Sequence, residues 1–166
     1  MVKATAEGPT WNRDKGELTI LGRRHSAFDI QPFCNYMDQL VGEKVAEVMM
    51  KNLQLRLGKE DGAWLKKEHP KANLIELINL ASEWDRLAGY GSTKASVNDY
   101  NSISLTVSNP AIKGTKGAAK AFLFAWWAGV IGSFIEKDCD YSNVAYDQTA
   151  NTMECEVGPR VPVQMR

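Results

Sequence analysis

The chain has 166 residues, 44% of them hydrophobic, with 20 lysines plus arginines against 20 aspartates plus glutamates. That length fits one domain able to bury roughly 70% of its unfolded surface, and the hydrophobic share argues against a disordered chain. The balanced charge gives no global pull toward nucleic acid or an anionic membrane, and three widely spaced cysteines, Cys34, Cys139 and Cys155, fit a reducing compartment better than a disulfide framework.

Residues 1–16 are polar, with Gly8-Pro9 and Gly16, and read as a loosely held arm that Trp11 pins to the body. This start has no apolar signal core, which fits a cytoplasmic protein. Glu17 to Leu21 reads as a short strand ended by Gly22, with Arg23, Arg24 and His25 in a loop. Asp29 is a candidate N-cap, and Pro32 is tolerated in a first helical turn. Phe33, Tyr36, Met37, Leu40 and Val41 then follow helical spacing. Gly42 interrupts it, Val45, Val48, Met49, Leu53 and Leu57 resume it, and Gly58 is expected to end it before a loop around residue 60.

Asn73 with Glu76 three residues later marks a capping-box start. Leu74, Leu77, Ile78, Ala81 and Trp84 form one face of the amphipathic helix that follows, ended by Gly89-Tyr90-Gly91. Lys94 to Asn98 and Ile103 to Val107 read as a hairpin around Asp99-Tyr100, closed by Asn109-Pro110. Thr115 to Ile135 reads as a helix, and Val144 to Asp147 with Met153 to Val157 as a second hairpin. The order β, α, α, β, β, α, β, β describes an α+β domain: antiparallel hairpins packed against long helices, with a buried apolar helix toward the C-terminus. Residues 17–157 form this single domain and 158–166 a tail.

The uncharged run from Ala121 to Ile135 is too apolar for a surface helix and shorter than the about 20 residues of a membrane span. At about 100° per residue, Ala121, Ala125, Ala128 and Gly132 line one side, and Leu123, Trp127, Val130 and Phe134 the other. Small residues admit a close helix and bulky ones fill space against a sheet, so cover is expected on both sides. The aromatic residues fit plain core packing, and they equally fit the wall of a cavity for an apolar ligand.

Several ordered features resemble the 4-vinyl reductase domain family, also called the hydrocarbon-binding domain, over roughly Leu21 to Val157. They are the helix through LVGEKVAEVMM, the helix ending in Gly89-Tyr90-Gly91, and the strand before Val107-Ser108-Asn109-Pro110. An apolar helix with Ala125 and Gly129 and the closing strand Glu154-Cys155-Glu156-Val157 complete the set. The resemblance implies a fold like that of the TRAPP vesicle-tethering subunits, often dimeric, with an apolar tunnel and a role in ligand sensing. Some relatives hold zinc near the last hairpin. With Cys155 in the last ligand's place, Asp147 stands near the preceding cysteine's, Val144 near the glutamate's, and Lys120 or a neighbour where the first cysteine is lost. One cysteine and one aspartate fall short of the about four ligands of a structural zinc site, so no metal is expected.

No catalytic constellation is visible. Gly89-Tyr90-Gly91 follows a helix and precedes a strand, the wrong context for a dinucleotide turn. Gly114-Thr115-Lys116-Gly117 lacks the frame of a phosphate loop, and no nucleophile elbow occurs. His69 reads as a solvated loop residue. His25 is either structural or a polar anchor at a pocket mouth. Cys34 is either buried and inert or activated near a helix start. Glu136, Asp138 and Asp140 read as a solvated acidic turn. The expected function is a non-catalytic module that binds an apolar small molecule (hydrocarbon, lipid-like or tetrapyrrole-like) as sensor or carrier. The alternatives are a reductase of a tetrapyrrole vinyl group and a ligand-free dimeric scaffold. Candidate wall residues are Phe28, Phe33, Tyr36, Met37, Trp84, Tyr90, Phe122, Trp126 and Trp127. No cofactor, nucleic acid or membrane span is expected. The expected partners are the apolar small molecule, a second copy of the chain, and a separate signalling protein.

Overall fold

The computed structural model describes residues 9–12, 17–20, 23–25, 29–98 and 102–160. In chain order the elements are β1 (Thr10–Asn12), β2 (Glu17–Ile20), β3 (Arg23–His25), α1 (Ile30–Val41), α2 (Glu43–Glu68) and α3 (Leu74–Leu87). There follow β4 (Ser92–Val97), β5 (Ile103–Ser108), α4 (Gly117–Ile135), β6 (Cys139–Asp147) and β7 (Thr152–Pro159). β1, β2 and β3 pair antiparallel in a small sheet, and the main antiparallel sheet has the order β4-β5-β7-β6. The α+β class expected from the sequence is the class observed.

The main sheet buries one face by strict alternation. Ile103, Leu105 and Val107 of β5 sit opposite Val157, Cys155 and Met153 of β7, and all six are buried. Period-two patterning puts every second side chain on the core side. α4 lies over this face, with Phe124, Trp127, Val130 and Ile131 nearly inaccessible to solvent. By length and composition α4 passes as a membrane span, yet 78% of its most apolar window is buried inside the protein. It is the core helix of the domain.

Local signals explain the helix ends. Asn73 accepts the Glu76 amide while the Glu76 carboxylate accepts the Asn73 amide, both at 3.0 Å, so α3 starts with a complete capping box. Gly42 separates α1 from α2 at φ +81°, a left-handed conformation open to glycine. The first turn of α4 is capped from another element: Asp38 of α1 accepts the Ala118 amide at 2.8 Å. A carboxylate there satisfies an orphan amide and meets the positive end of the helix dipole.

Several expectations need correction. Gly58 does not end a helix, and there is no loop at residue 60: α2 continues to Glu68. Gly58 and Gly62 lie inside it because α4 presses directly on its backbone. A Cβ at Gly58 would overlap the Trp126 carbonyl oxygen, and one at Gly62 would come within 2.9 Å of the Val130 carbonyl. The line of α4 that meets α2 runs through Trp126, Gly129 and Ser133. It lies beside the Ala121–Gly132 stripe, whose Gly132 packs instead on Lys137 and Cys139.

Thr10 to Asn12 form a strand within the expected arm, and Arg23 to His25 a strand in place of a loop. β6 begins at Cys139, β7 reaches Pro159 inside the expected tail, and α4 starts at Gly117 rather than Thr115. The acidic turn after α4 is paired rather than merely solvated. Lys66, Lys59 and Lys51 of α2 reach Glu136, Asp138 and Asp140 at 2.7, 2.6 and 2.7 Å. All three cysteines are free and buried. Burial and the neighbouring Asp38 push the Cys34 thiol up to about 11, and burial raises Cys139 and Cys155 as well. That is opposite to an activated thiol.

Candidate functional site

Between α1, α2, α3 and α4 lies a cavity of about 360 Å³. Such a volume suits a small organic molecule. α2 contributes Met50, Leu53, Gln54, Leu57 and Asp61, and Trp84, Asp85, Ala88 and Tyr90 come from the end of α3 and just beyond it. α4 adds Phe122, Leu123 and Trp126, and α1 adds Phe33. Phe33, Leu53 and Leu57 are 39%, 51% and 40% exposed, so the mouth opens at the α1–α2 side.

The walls are aromatic and mutually braced. Trp84 meets Trp64 edge-on at 5.4 Å and Trp126 at 6.5 Å, and Tyr90 meets Phe122 at 5.4 Å. Edge-to-face pairs of this type add roughly 1 kcal/mol beyond area burial and restrict ring rotation. The Trp126 indole is further held by donating to Asp61 at 2.8 Å.

The polar groups are few and concentrated. Asp85 is 2% exposed, and its Oδ2 accepts the Trp127 indole N–H at 2.6 Å and the Thr93 hydroxyl at 2.9 Å. Among the described residues nothing donates to its Oδ1. Burial pushes this carboxyl up to about 7, and the two donors only partly oppose the rise. The Tyr90 hydroxyl is raised by burial and by the charges of Asp85 and Asp61. Gln54, 6% exposed, donates to the Met50 sulfur at 3.9 Å.

Of the residues singled out in the sequence, Phe33, Trp84, Tyr90, Phe122 and Trp126 are brought together on this cavity. Three others are not. Tyr36 is 60% exposed on the outer side of α1, Met37 packs half-buried against the core, and Trp127 is fully buried behind the wall. Trp126 and Trp127 are neighbours on a helix and project about 100° apart, so one lines the cavity and the other anchors Asp85 from behind. Phe28 lies outside the described residues. His25 lies on β3, its backbone registered with Leu18. Among the described residues, no three His, Cys, Asp or Glu side chains gather as a metal site would need.

Sequence reasoning missed Asp85, Asp61 and Gln54. A signal existed for Asp85: it stands four residues after Ala81 and seven after Ile78, on the buried stripe of α3. An acid at a core position of an amphipathic helix is the anomaly to look for.

No protein-family model matches the chain, and no curated protein matches it by sequence. Among solved structures, the phenol-responsive sensory domain of the transcription activator PoxR, crystallised with phenol, aligns at a TM-score of 0.69. Identity is 8%, over 91% of this chain and 84% of that one. A vinyl-4-reductase family protein from Methanocaldococcus jannaschii aligns at 0.47, with 15% identity over 82% of this chain and 85% of that one. The first likeness fixes the architecture: the chain has the α+β fold of that sensory domain, in keeping with the domain type implied by the sequence resemblance.

Proposed function

We propose that the protein is a small-molecule-binding sensory module whose ligand, a compact molecule with an apolar or aromatic body, occupies the cavity between α2, α3 and α4. The observation that carries this reading is the cavity itself: aromatic walls around a few polar groups, among them the Asp85 carboxylate, whose two described donors both bond Oδ2, and the half-buried Tyr90 hydroxyl. Binding sites use a few such polar groups to orient a ligand. The likeness to a domain described as phenol-responsive supports a ligand of single-ring size. Phe33, Trp84, Tyr90, Phe122 and Trp126 are the proposed wall.

Two wall residues are tryptophans, so intrinsic fluorescence reports occupancy. Titration with monocyclic aromatics is expected to quench emission saturably, and Trp126→Ala is expected to weaken binding about tenfold, the loss of one large stacking surface. Emission unchanged across such a panel, with no mass adduct by native mass spectrometry, would overturn the reading.

A second copy of the chain is proposed to cover the outer face of α1 and α2. Leu40, Val45, Val48, Met49, Leu53 and Leu57 are each at least 40% exposed there. Leu53 and Leu57 belong to this face and to the cavity wall, so a symmetric partner seated on it would also close the mouth. Val48→Glu is expected to convert a dimer to a monomer in sedimentation velocity. A wild-type monomer at micromolar concentration would sink the proposal.

A further inference from the structure

Among the described residues that line the cavity, Asp61 and Asp85 are acids and none is a lysine, arginine or histidine. Among the described residues Asp85 has no cationic partner: it accepts from the neutral Trp127 indole and Thr93 hydroxyl, both on Oδ2. A buried carboxylate without a positive partner is costly, and neutral donors offset only part of that cost. Its unoccupied Oδ1 belongs to a cavity walled by Trp84, Tyr90, Phe122 and Trp126. Ring faces attract a cation through their quadrupoles, best when water is excluded. A carboxylate among aromatic rings is the chemistry of an ammonium site.

We infer that the ligand is an organic cation, a primary or secondary amine protonated at neutral pH on a small apolar or aromatic body, with its ammonium donating to Asp85 Oδ1. This rests on the binding-module reading and adds the charge of the ligand. An anionic ligand is repelled by Asp85. A neutral hydroxyl satisfies Oδ1 as a hydrogen-bond donor but leaves the buried charge uncompensated. The ammonium does both, and its body fills the space between Trp84, Phe122 and Trp126. Asp61 accepts the Trp126 indole N–H and holds that ring in place.

The test uses the full chain and matched triplets that differ only in the head group: benzylamine, benzyl alcohol and benzoate, then 2-phenylethylamine, 2-phenylethanol and phenylacetate. Calorimetry at about pH 8, where Asp85 is ionised, is expected to show the amine of a triplet binding at least about tenfold more tightly than its alcohol, with the acid not binding. In Asp85→Asn the amine's advantage is expected to shrink to within about threefold. An alcohol that binds as well as or better than its amine in the wild-type protein overturns the cation assignment and leaves the binding module standing. An amine preference that survives unchanged in Asp85→Asn overturns the role of Asp85. Failure of every member of both triplets to bind overturns the module and the cation together. The amine-to-alcohol ratio is read on wild-type protein and needs no variant to fold.

Discussion

Gly58→Ala is expected to destabilise the protein by about 3 kcal/mol or more, seen as a lower urea midpoint with little change in slope. Local propensity predicts the opposite sign, since alanine is favoured over glycine inside a helix by about 1 kcal/mol. The tertiary contact decides. The new methyl would fall on the carbonyl oxygen of Trp126 and within 3.1 Å of the Gly129 Cα, so it meets backbone that cannot rotate away. Gly129 has no more room, because a Cβ there would overlap the Leu55 carbonyl and lie 2.8 Å from the Lys59 amide. Relief requires α2 and α4 to separate, which would also displace Trp126 and Asp61 from the cavity wall. A variant more stable than wild type would show that the two helices do not cross this closely.

The second large effect is a dependence of stability on pH set by Asp85. Its carboxyl is raised from 3.8 to about 7, so the folded ligand-free protein holds a proton that the unfolded chain has released. The contribution is fully present below the ordinary carboxylate range, falls as pH rises, and is gone once pH passes about 7. At roughly 1.4 kcal/mol per pH unit the loss across that window is on the order of 4 kcal/mol. Among the described residues, the other titratable groups that line this cavity are Asp61 of α2 and Tyr90 beyond α3.

Ion-paired surface acids pull the other way. Glu136 and Asp138 are lowered by Lys66 and Lys59, and they favour folding above the carboxylate range. The wild-type curve therefore sums opposed trends, and Asp85→Asn isolates one of them. Its stability minus that of wild type is expected to grow from pH 5 to pH 8 and then level off, measured by denaturant melts at each pH. A difference independent of pH would show that the buried carboxyl titrates normally.

What was legible in the sequence follows the range of the interactions. The capping box at Asn73 and Glu76, the alternation of β5 and β7, and the apolar α4 are decided within a few residues, and each is where its pattern put it. The passage of α2 through Gly58 was not legible, because glycine as a stop and glycine as a contact point look identical until α4 is in place. The choice between Trp126 and Trp127 as wall residue is likewise set by how α4 is rotated against α2 and α3. The aromatic side of the cavity was visible because large rings announce themselves. Its polar side was not, because Asp61 and Asp85 look like ordinary surface acids unless their phase on the helix is followed residue by residue.

The three buried thiols have a practical consequence. In the native protein Cys34 on α1, Cys139 at the start of β6 and Cys155 within β7 are shielded and held protonated, so a disulfide reagent must wait for the chain to open. Their modification rates then act as three clocks on separate parts of the molecule. Cys34 times the release of α1 from the cavity side, while Cys139 and Cys155 time the opening of the sheet beneath α4. A ligand that bridges α1, α2 and α3 slows the first clock and leaves the other two running at their own pace.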